Sequence, residues 1–257
     1  MYRRRRLVAI SIVLLFILGI GYMFRATIRS AFDVEVLIKE GTRASTIFQT
    51  LSDKFGIPVE DFKRIKPKDL GLPKEAVNLD GYLFPALYTF HRHQTAMSLV
   101  SALHDRMQQQ IEHDGIDPAD VHKVLTMASM IQYEAGSSAD FYKISAVFHN
   151  RINVGMRLQS DATVSYGAKS HTYTTSAQQR ADPNPWNTYL FYGLPIGPIS
   201  APGAQAIDAA IHPAKGSWLY FCTVNPQTGE TEFTSTLVDH ERSIAKWQAW
   251  VAAHPGW

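Results

Sequence analysis

The chain has 257 residues, 46% of them hydrophobic, and a formal net charge of +2 at pH 7. Its one cysteine, Cys222, excludes an intrachain disulfide framework and a cysteine-rich metal site. Arg3, Arg4, Arg5 and Arg6 carry four of the positive charges and leave the remainder near −2, without the basic face of a nucleic-acid binder.

The arginine cluster runs into LVAISIVLLFILGIGYMF, residues 7–24, eighteen residues without a charge. At about 1.5 Å per residue such a helix is roughly 27 Å long, enough to cross a bilayer core. Residues 1–6 then read as a cytoplasmic tail, with the large body outside, because basic residues stay inside. The competing reading is a cleaved signal peptide, but GYMFRATIRSAF offers no clean small-x-small cleavage site. Residues 25–33 follow as a juxtamembrane linker.

VEVLI, residues 34–38, reads as a strand. In the next segment Ile47, Leu51 and Phe55 recur every four residues, which predicts a helix with Thr42 or Ser45 as its cap. Strand, turn and helix make a small βα module, followed by the Pro-, Gly- and Lys-rich linker KPKDLGLPKEAVNLDG. YLFPALYTF, residues 82–90, is strand-like, and Pro85 confines it to an edge.

Val100, Leu103, Met107 and Ile111 then give a helical period over residues 95–112. A second helix is predicted to start at Asp117-Pro118, with Val121, Val124, Ala128 and Ile131 on one face and Gly136 as its stop. Glu134 lies three residues after Ile131 and so shares that face, whereas Gln132 points away. Residues 141–153 give a third helix. The stretch 155–203 is turn-rich with strand-like pieces such as TYLFY, a length that suits a binding surface. WLYFCTV, NPQTGE and TEFTST predict a β-hairpin, and a last helix over 239–252 carries Ile244, Trp247 and Val251. The fold class is therefore α+β, with no internal repeat.

The chain lacks G-x-S-x-G, H-E-x-x-H and a P-loop. His91-x-His93 is too sparse to argue for a metal, and no metal or cofactor is implied. Polar residues interleaved with aromatics remain: Asn150-Arg151, Arg157, Gln159-Ser160-Asp161, Tyr166, Asn187-Thr188-Tyr189 and Tyr192. Such a set suits a glycan, whose rings offer apolar faces and edge hydroxyls. By composition alone it equally describes a polar loop network that satisfies its own backbone.

DGYLFPALYTF (80–90), MASMIQYEAG (127–136), HNRINVGMRLQSDATVSYG (149–167), NPWNTYLFYGLPIGPISAPG (184–203) and HPAKGSWLYF (212–221) together resemble the YceG-like family, the endolytic murein transglycosylases. The resemblance runs from about residue 80 to 243. It implies a single-pass anchor in the bacterial cytoplasmic membrane, a partial LysM-like module and linker over 34–79 and a catalytic domain over 80–257. It implies a lyase that cleaves MurNAc–GlcNAc bonds in nascent peptidoglycan strands, leaves 1,6-anhydro-MurNAc ends and terminates elongation, beside peptidoglycan synthases as partners. The family's catalytic glutamate falls on Glu134. Asn150, Arg157, Gln159, Ser160, Asp161, Tyr166, Asn187, Thr188 and Tyr189 become candidate substrate contacts. His240 matches the family pattern too, although a cap or core role fits it equally.

Three departures stand out. Gln132 replaces a frequent second acid, Ala162 stands where the family commonly has Pro, and the region before residue 80 is short. A hydrolase of the same fold and a non-catalytic peptidoglycan-binding scaffold are the alternative functions.

Overall fold

The structure, a computed structural model, describes residues 33–135, 140–170 and 175–255. The predicted cytoplasmic tail, the apolar span 7–24, all but the last residue of the linker 25–33, and the Gly136 stop lie outside the described residues. No helix among the described residues is long and apolar enough to cross a membrane.

Strand β1 (Asp33–Leu37) pairs antiparallel with β2 (Leu87–His91), with Val36 opposite Tyr88. The predicted strand at 82–90 is thus only its second half. Tyr82, Leu83 and Phe84 instead bury their side chains in the core, ahead of the break that Pro85 imposes. The His91 ring is engaged with Asp33 across this sheet, 2.6 Å from Nδ1 to Oδ1. Between the two strands lie helix α1 (Ala44–Phe55) and the short α2 (Val59–Lys63). Ile47, Phe48 and Leu51 bury the inner face of α1, and Gly56 ends it in the left-handed conformation that glycine adopts without strain.

The cap of α1 differs from both residues named for it. Arg43 occupies the N-cap without a side-chain bond, and the Asp80 carboxylate accepts the Ala44 N–H at 2.7 Å from thirty-six residues away. A cap supplied from so far along the chain leaves no local sequence signal.

Helix α3 (Ala96–His113) follows the predicted period and is capped by Thr95, whose hydroxyl accepts the Ser98 N–H. Helix α4 (Val121–Glu134) begins three residues after Pro118, later than predicted. Asp117 is diverted into a turn, its carboxylate accepting the Ala119 N–H and its carbonyl the Asp120 N–H. Every residue from Leu125 to Ile131 is buried, so α4 is a central helix rather than one with a single apolar stripe. It packs against α5 (Phe141–Asn153) and α8 (Ala204–Ile211).

Helix α8 lies outside the predicted elements, because eight residues are too short a run for the helical period to stand out. Its Ala206, Ala209 and Ala210 are buried and allow close approach to α4. Gln132 anchors this contact, its side-chain oxygen accepting the Gly203 N–H at 2.9 Å.

The turn-rich stretch contains two short helices, α6 (Asp161–Gly167) and α7 (Ala177–Arg180). TYLFY is not a strand there: Thr188–Leu190 form a turn. The hairpin is observed as β3 (Tyr220–Asn225) and β4 (Glu230–Thr234), and α9 (Leu237–Ala253) packs on it. Glu232 fastens α9 by accepting the Ser243 hydroxyl and pairing with Lys246, while Trp247 and Val251 stay exposed. One continuous cluster joins Val36 and Ile47 to Tyr82, Leu103, Met130 and Ile207, so the first βα unit shares its core with the body.

Candidate active site

Glu134 ends α4, and the chain after it turns away with Ala135 in an extended conformation. The carboxylate is carried to the edge of the buried core and opens on a cleft of about 440 Å³. Ser160 donates its hydroxyl to Glu134 Oε1 at 2.6 Å. Among the described residues Oε2 has no hydrogen-bond partner. Burial pushes the Glu134 pKa above the ordinary carboxylate value. The Ser160 hydrogen bond opposes this, nearby Asp161 reinforces it and Arg151 opposes it, yet desolvation is the largest cause.

The Ser160-Asp161 step sits where α6 begins. Ser160 is the N-cap but spends its hydroxyl on Glu134, while its own N–H donates to Thr188 Oγ1 at 3.0 Å. Thr163 donates to the Ser160 carbonyl at 2.7 Å and meets Thr188 Oγ1 at 2.8 Å. Gln159 is held in the left-handed region at φ 51°, and its N–H donates to the Thr188 carbonyl. A non-glycine residue is strained there, and the Thr188 bonds on both sides hold the conformation. Its side chain is thereby displayed at the cleft.

Asp161 accepts the hydroxyls of Thr175 and Tyr189, the latter at 2.9 Å, with Arg180 4.0 Å away. Burial, with Asp161 alongside, holds the Tyr189 phenol protonated well above its usual range. Across the cleft Arg151 is buried and donates to the carbonyls of Leu219 (2.6 Å) and Leu158 (2.7 Å). Tyr220 lies under the Arg151 guanidinium and stacks on His240, ring centres 5.0 Å apart. Burial, and then the Arg151 charge, lowers the His240 pKa, and its Nδ1 is buried without a partner.

The structure therefore gathers Glu134, Gln159, Ser160, Asp161 and Tyr189 around one cleft. The other candidates sit elsewhere. Asn150 is occupied by the carbonyls of Gly216 and Trp218. Asn187 is fully buried, donating to the carbonyls of Arg180 and Asp182 and accepting the Tyr189 N–H. Thr188 is the internal brace described above. Arg157 is exposed and rests over the Tyr192 ring, 4.7 Å from its centre. Tyr166 belongs to a second cavity, where it donates to Asp80 at 2.7 Å and accepts from Asn78 at 2.8 Å.

Tyr220, and His240 as a lining residue of the cleft, emerge only from the hairpin folding back over α5. The stacking of residues twenty positions apart has no periodic signal. Among the described residues no group of three or more His, Cys, Asp or Glu is arranged to hold a metal ion.

The sequence profile of the YceG-like family matches residues 21–246. The chain belongs to the YceG-like family. It is 38% identical over 174 residues to a Bacillus subtilis protein named endolytic murein transglycosylase, covering 66% of this chain and 48% of that one. A protein of the same name from Streptococcus pneumoniae serotype 2 is 30% identical over 177 residues, covering 65% of this chain and 32% of the other. The chain thus spans about half, or a third, of the curated relatives it matches. The crystal structure of a YceG-like protein from Listeria monocytogenes superposes with a TM-score of 0.71 at 30% identity, covering 81% of this chain and 75% of the other.

Proposed function

We propose that the chain is a membrane-anchored endolytic peptidoglycan lytic transglycosylase. It cleaves MurNAc–GlcNAc bonds of nascent glycan strands and leaves 1,6-anhydro-MurNAc ends, terminating elongation. The observation that carries this reading is the Glu134 carboxyl, with burial favouring its protonated form, one oxygen fixed by Ser160 and the other open to the cleft. A general acid works best with a pKa near the working pH, and desolvation moves a glutamate that way.

In this mechanism Glu134 gives its proton to the glycosidic oxygen as the bond to the muramyl anomeric carbon breaks. The resulting carboxylate then takes the proton of the muramyl 6-hydroxyl as that oxygen attacks the same carbon. The proton count closes on Glu134 and no water is consumed. Intramolecular attack gains from proximity, with effective molarities reaching about 10⁵ M or more in well-oriented cases. Asp161, fixed by Thr175 and Tyr189, faces the positive charge that develops on the sugar ring. Gln159 and Tyr189 contact sugar hydroxyls, while Asn150, Asn187 and Thr188 position the loops that carry them. Arg157 with Tyr192 extends the surface along the strand.

The segment 7–24 serves as the anchor, with the N-terminus in the cytoplasm and the catalytic part outside. Residues 34–79 act as a shortened LysM-like module, and peptidoglycan synthases are the partners. The names of the Bacillus and Streptococcus relatives support the substrate class.

The second carboxylate beside Glu134 favours one alternative, hydrolysis with water activated by Asp161. Mass spectrometry of digested, uncrosslinked strands decides. Anhydro ends that disappear in Glu134→Gln are expected. Reducing ends from the unmodified protein would assign a hydrolase, and anhydro ends surviving in Glu134→Gln would remove Glu134 from the chemistry.

A further inference from the structure

The second cavity, of about 380 Å³, lies between the N-terminus of α1 and the C-terminus of α6. Arg43 and Lys169 both line it, and neither has an acidic partner within ion-pair distance among the described residues. Arg43 instead lies over the Tyr166 ring, 5.1 Å from its centre, which leaves the edge of its guanidinium for a ligand. Lys169 is exposed and projects from a backbone held at φ 54°. Ser45, in the first turn of α1, adds a hydroxyl with no partner among the described residues and the positive end of a twelve-residue helix.

The cavity wall is built for this. Tyr166 and Trp186 meet with ring centres 5.1 Å apart, and the Trp186 indole N–H is tied to the Gly197 carbonyl at 3.1 Å. The loop that presents Trp186 closes on Gly167, where a Cβ would come within 1.9 Å of Asn184 Oδ1. A larger residue there would have to displace the Asn184 side chain, which accepts the Trp186 N–H. Asp80, the one acid among the described lining residues, is buried with both oxygens engaged by Ala44 and Tyr166. Two cations and a helix end thus face the opening beside an aromatic wall, which suits an anion attached to an apolar body rather than a neutral sugar.

Helix α6 relates this cavity to the Glu134 cleft. Asp161 at its start lines the cleft and Gly167 at its end lines the cavity. Seven residues at about 1.5 Å each place the two roughly 10 Å apart along the helix. Substituents of one bound polymer can reach both.

We propose that this cavity binds a carboxylate on the peptide carried by the same glycan strand that enters the Glu134 cleft, with Arg43 and Lys169 as its counter-charges. The proposal rests on the transglycosylase reading for the identity of the polymer. It makes the protein a reader of peptide-bearing strands, favouring them over strands whose peptides have been removed.

Three soluble glycan oligomers of equal length test it: one with free peptide carboxylates, one with those carboxylates amidated and one with the peptides removed. Binding is measured by calorimetry on the full chain in detergent, carrying Glu134→Gln so that no cleavage occurs. Charge-assisted hydrogen bonds predict that the free-carboxylate oligomer binds about tenfold tighter than the other two. Adding Arg43→Gln and Lys169→Asn is expected to abolish that preference and leave affinity for the peptide-free oligomer unchanged. Lys169→Asn alone keeps the left-handed backbone, which Asn tolerates, and is expected to lose part of the preference if the double change disturbs folding. Equal affinity for the three oligomers, or a preference that survives these substitutions, overturns the proposal. Product analysis on the chain with Glu134 intact is a separate readout, so failure to form anhydro ends would sink the transglycosylase reading without altering the measured preference.

Discussion

Burial raises the pKa of two carboxyls among the described residues, Glu134 and Asp80. Their donors set them apart. Asp80 has Oδ1 on the Ala44 N–H and Oδ2 on the Tyr166 hydroxyl, so both oxygens are spent inside the fold. Glu134 has Ser160 on one oxygen and, among the described residues, no donor on the other, which faces a cleft. Asp80 ties α1 to α6, whereas Glu134 keeps a lone pair or a proton for something outside the protein. Burial alone therefore does not mark a reactive acid. A raised pKa together with one oxygen presented to a cleft does, because that oxygen can exchange a proton with a ligand.

The sharpest way to break this contrast is to neutralise each acid. Glu134→Gln preserves shape and can still accept the Ser160 hydroxyl, so the fold should hold while turnover of glycan strands falls by roughly 10²–10⁴-fold, the usual worth of a general acid. Asp80→Ala should do the opposite. It removes a helix cap and strands the Tyr166 hydroxyl, so chemical denaturation should show a loss of about 3 kcal/mol, while whatever protein remains folded keeps its turnover per molecule. If Asp80→Ala abolished turnover at unchanged stability, the division between a structural and a reactive carboxyl would collapse.

Ser160→Ala makes a smaller change on the reactive side alone. The Ser160 hydroxyl stabilises the ionised form of Glu134, so removing it raises the Glu134 pKa further. An acid that must be protonated then stays active to higher pH, and the basic limb of the pH–kcat profile should move upward. Lost orientation should lower kcat itself by about fivefold, in line with about 1 kcal/mol for one hydrogen bond. A limb that moves downward would mean that Ser160 acts on a different group.

Some of this was legible in the sequence. The period of α3, the run 141–153 that became α5 and the NPQTGE turn located three elements. TYLFY failed for the converse reason. Its residues favour strands, but Thr188 is claimed by Thr163 and Ser160, and Asn187 ties the segment to the carbonyls of Arg180 and Asp182. Tertiary hydrogen bonds outweighed propensity there. Placing Glu134 on an inward face gave the right neighbourhood through too narrow a reason, since seven consecutive residues from Leu125 to Ile131 are buried and no face of that stretch is exposed. The amides of Asn150 and Asn187 carry no mark of whether they serve a ligand or their own loops. Only the carbonyls they meet decide it.

The smallest effect expected is in the pH dependence of stability, and it follows from the raised Glu134 pKa. A folded state with a higher pKa than the unfolded one binds more protons in the interval between the two values. Stability then falls as pH rises through that interval, from the ordinary glutamate value upward, and the protonated form contributes most below it. Glu134→Gln has no such titration. Its unfolding free energy should match the parent at low pH and exceed it progressively above the ordinary glutamate range. Asp80→Asn shares that missing titration but also presents an amide where Ala44 and Tyr166 both need acceptors, so it should gain nothing at high pH. Equal slopes for the parent and Glu134→Gln would show that Glu134 is solvated as well as an ordinary surface acid, and the contrast with Asp80 would then rest on hydrogen bonding alone.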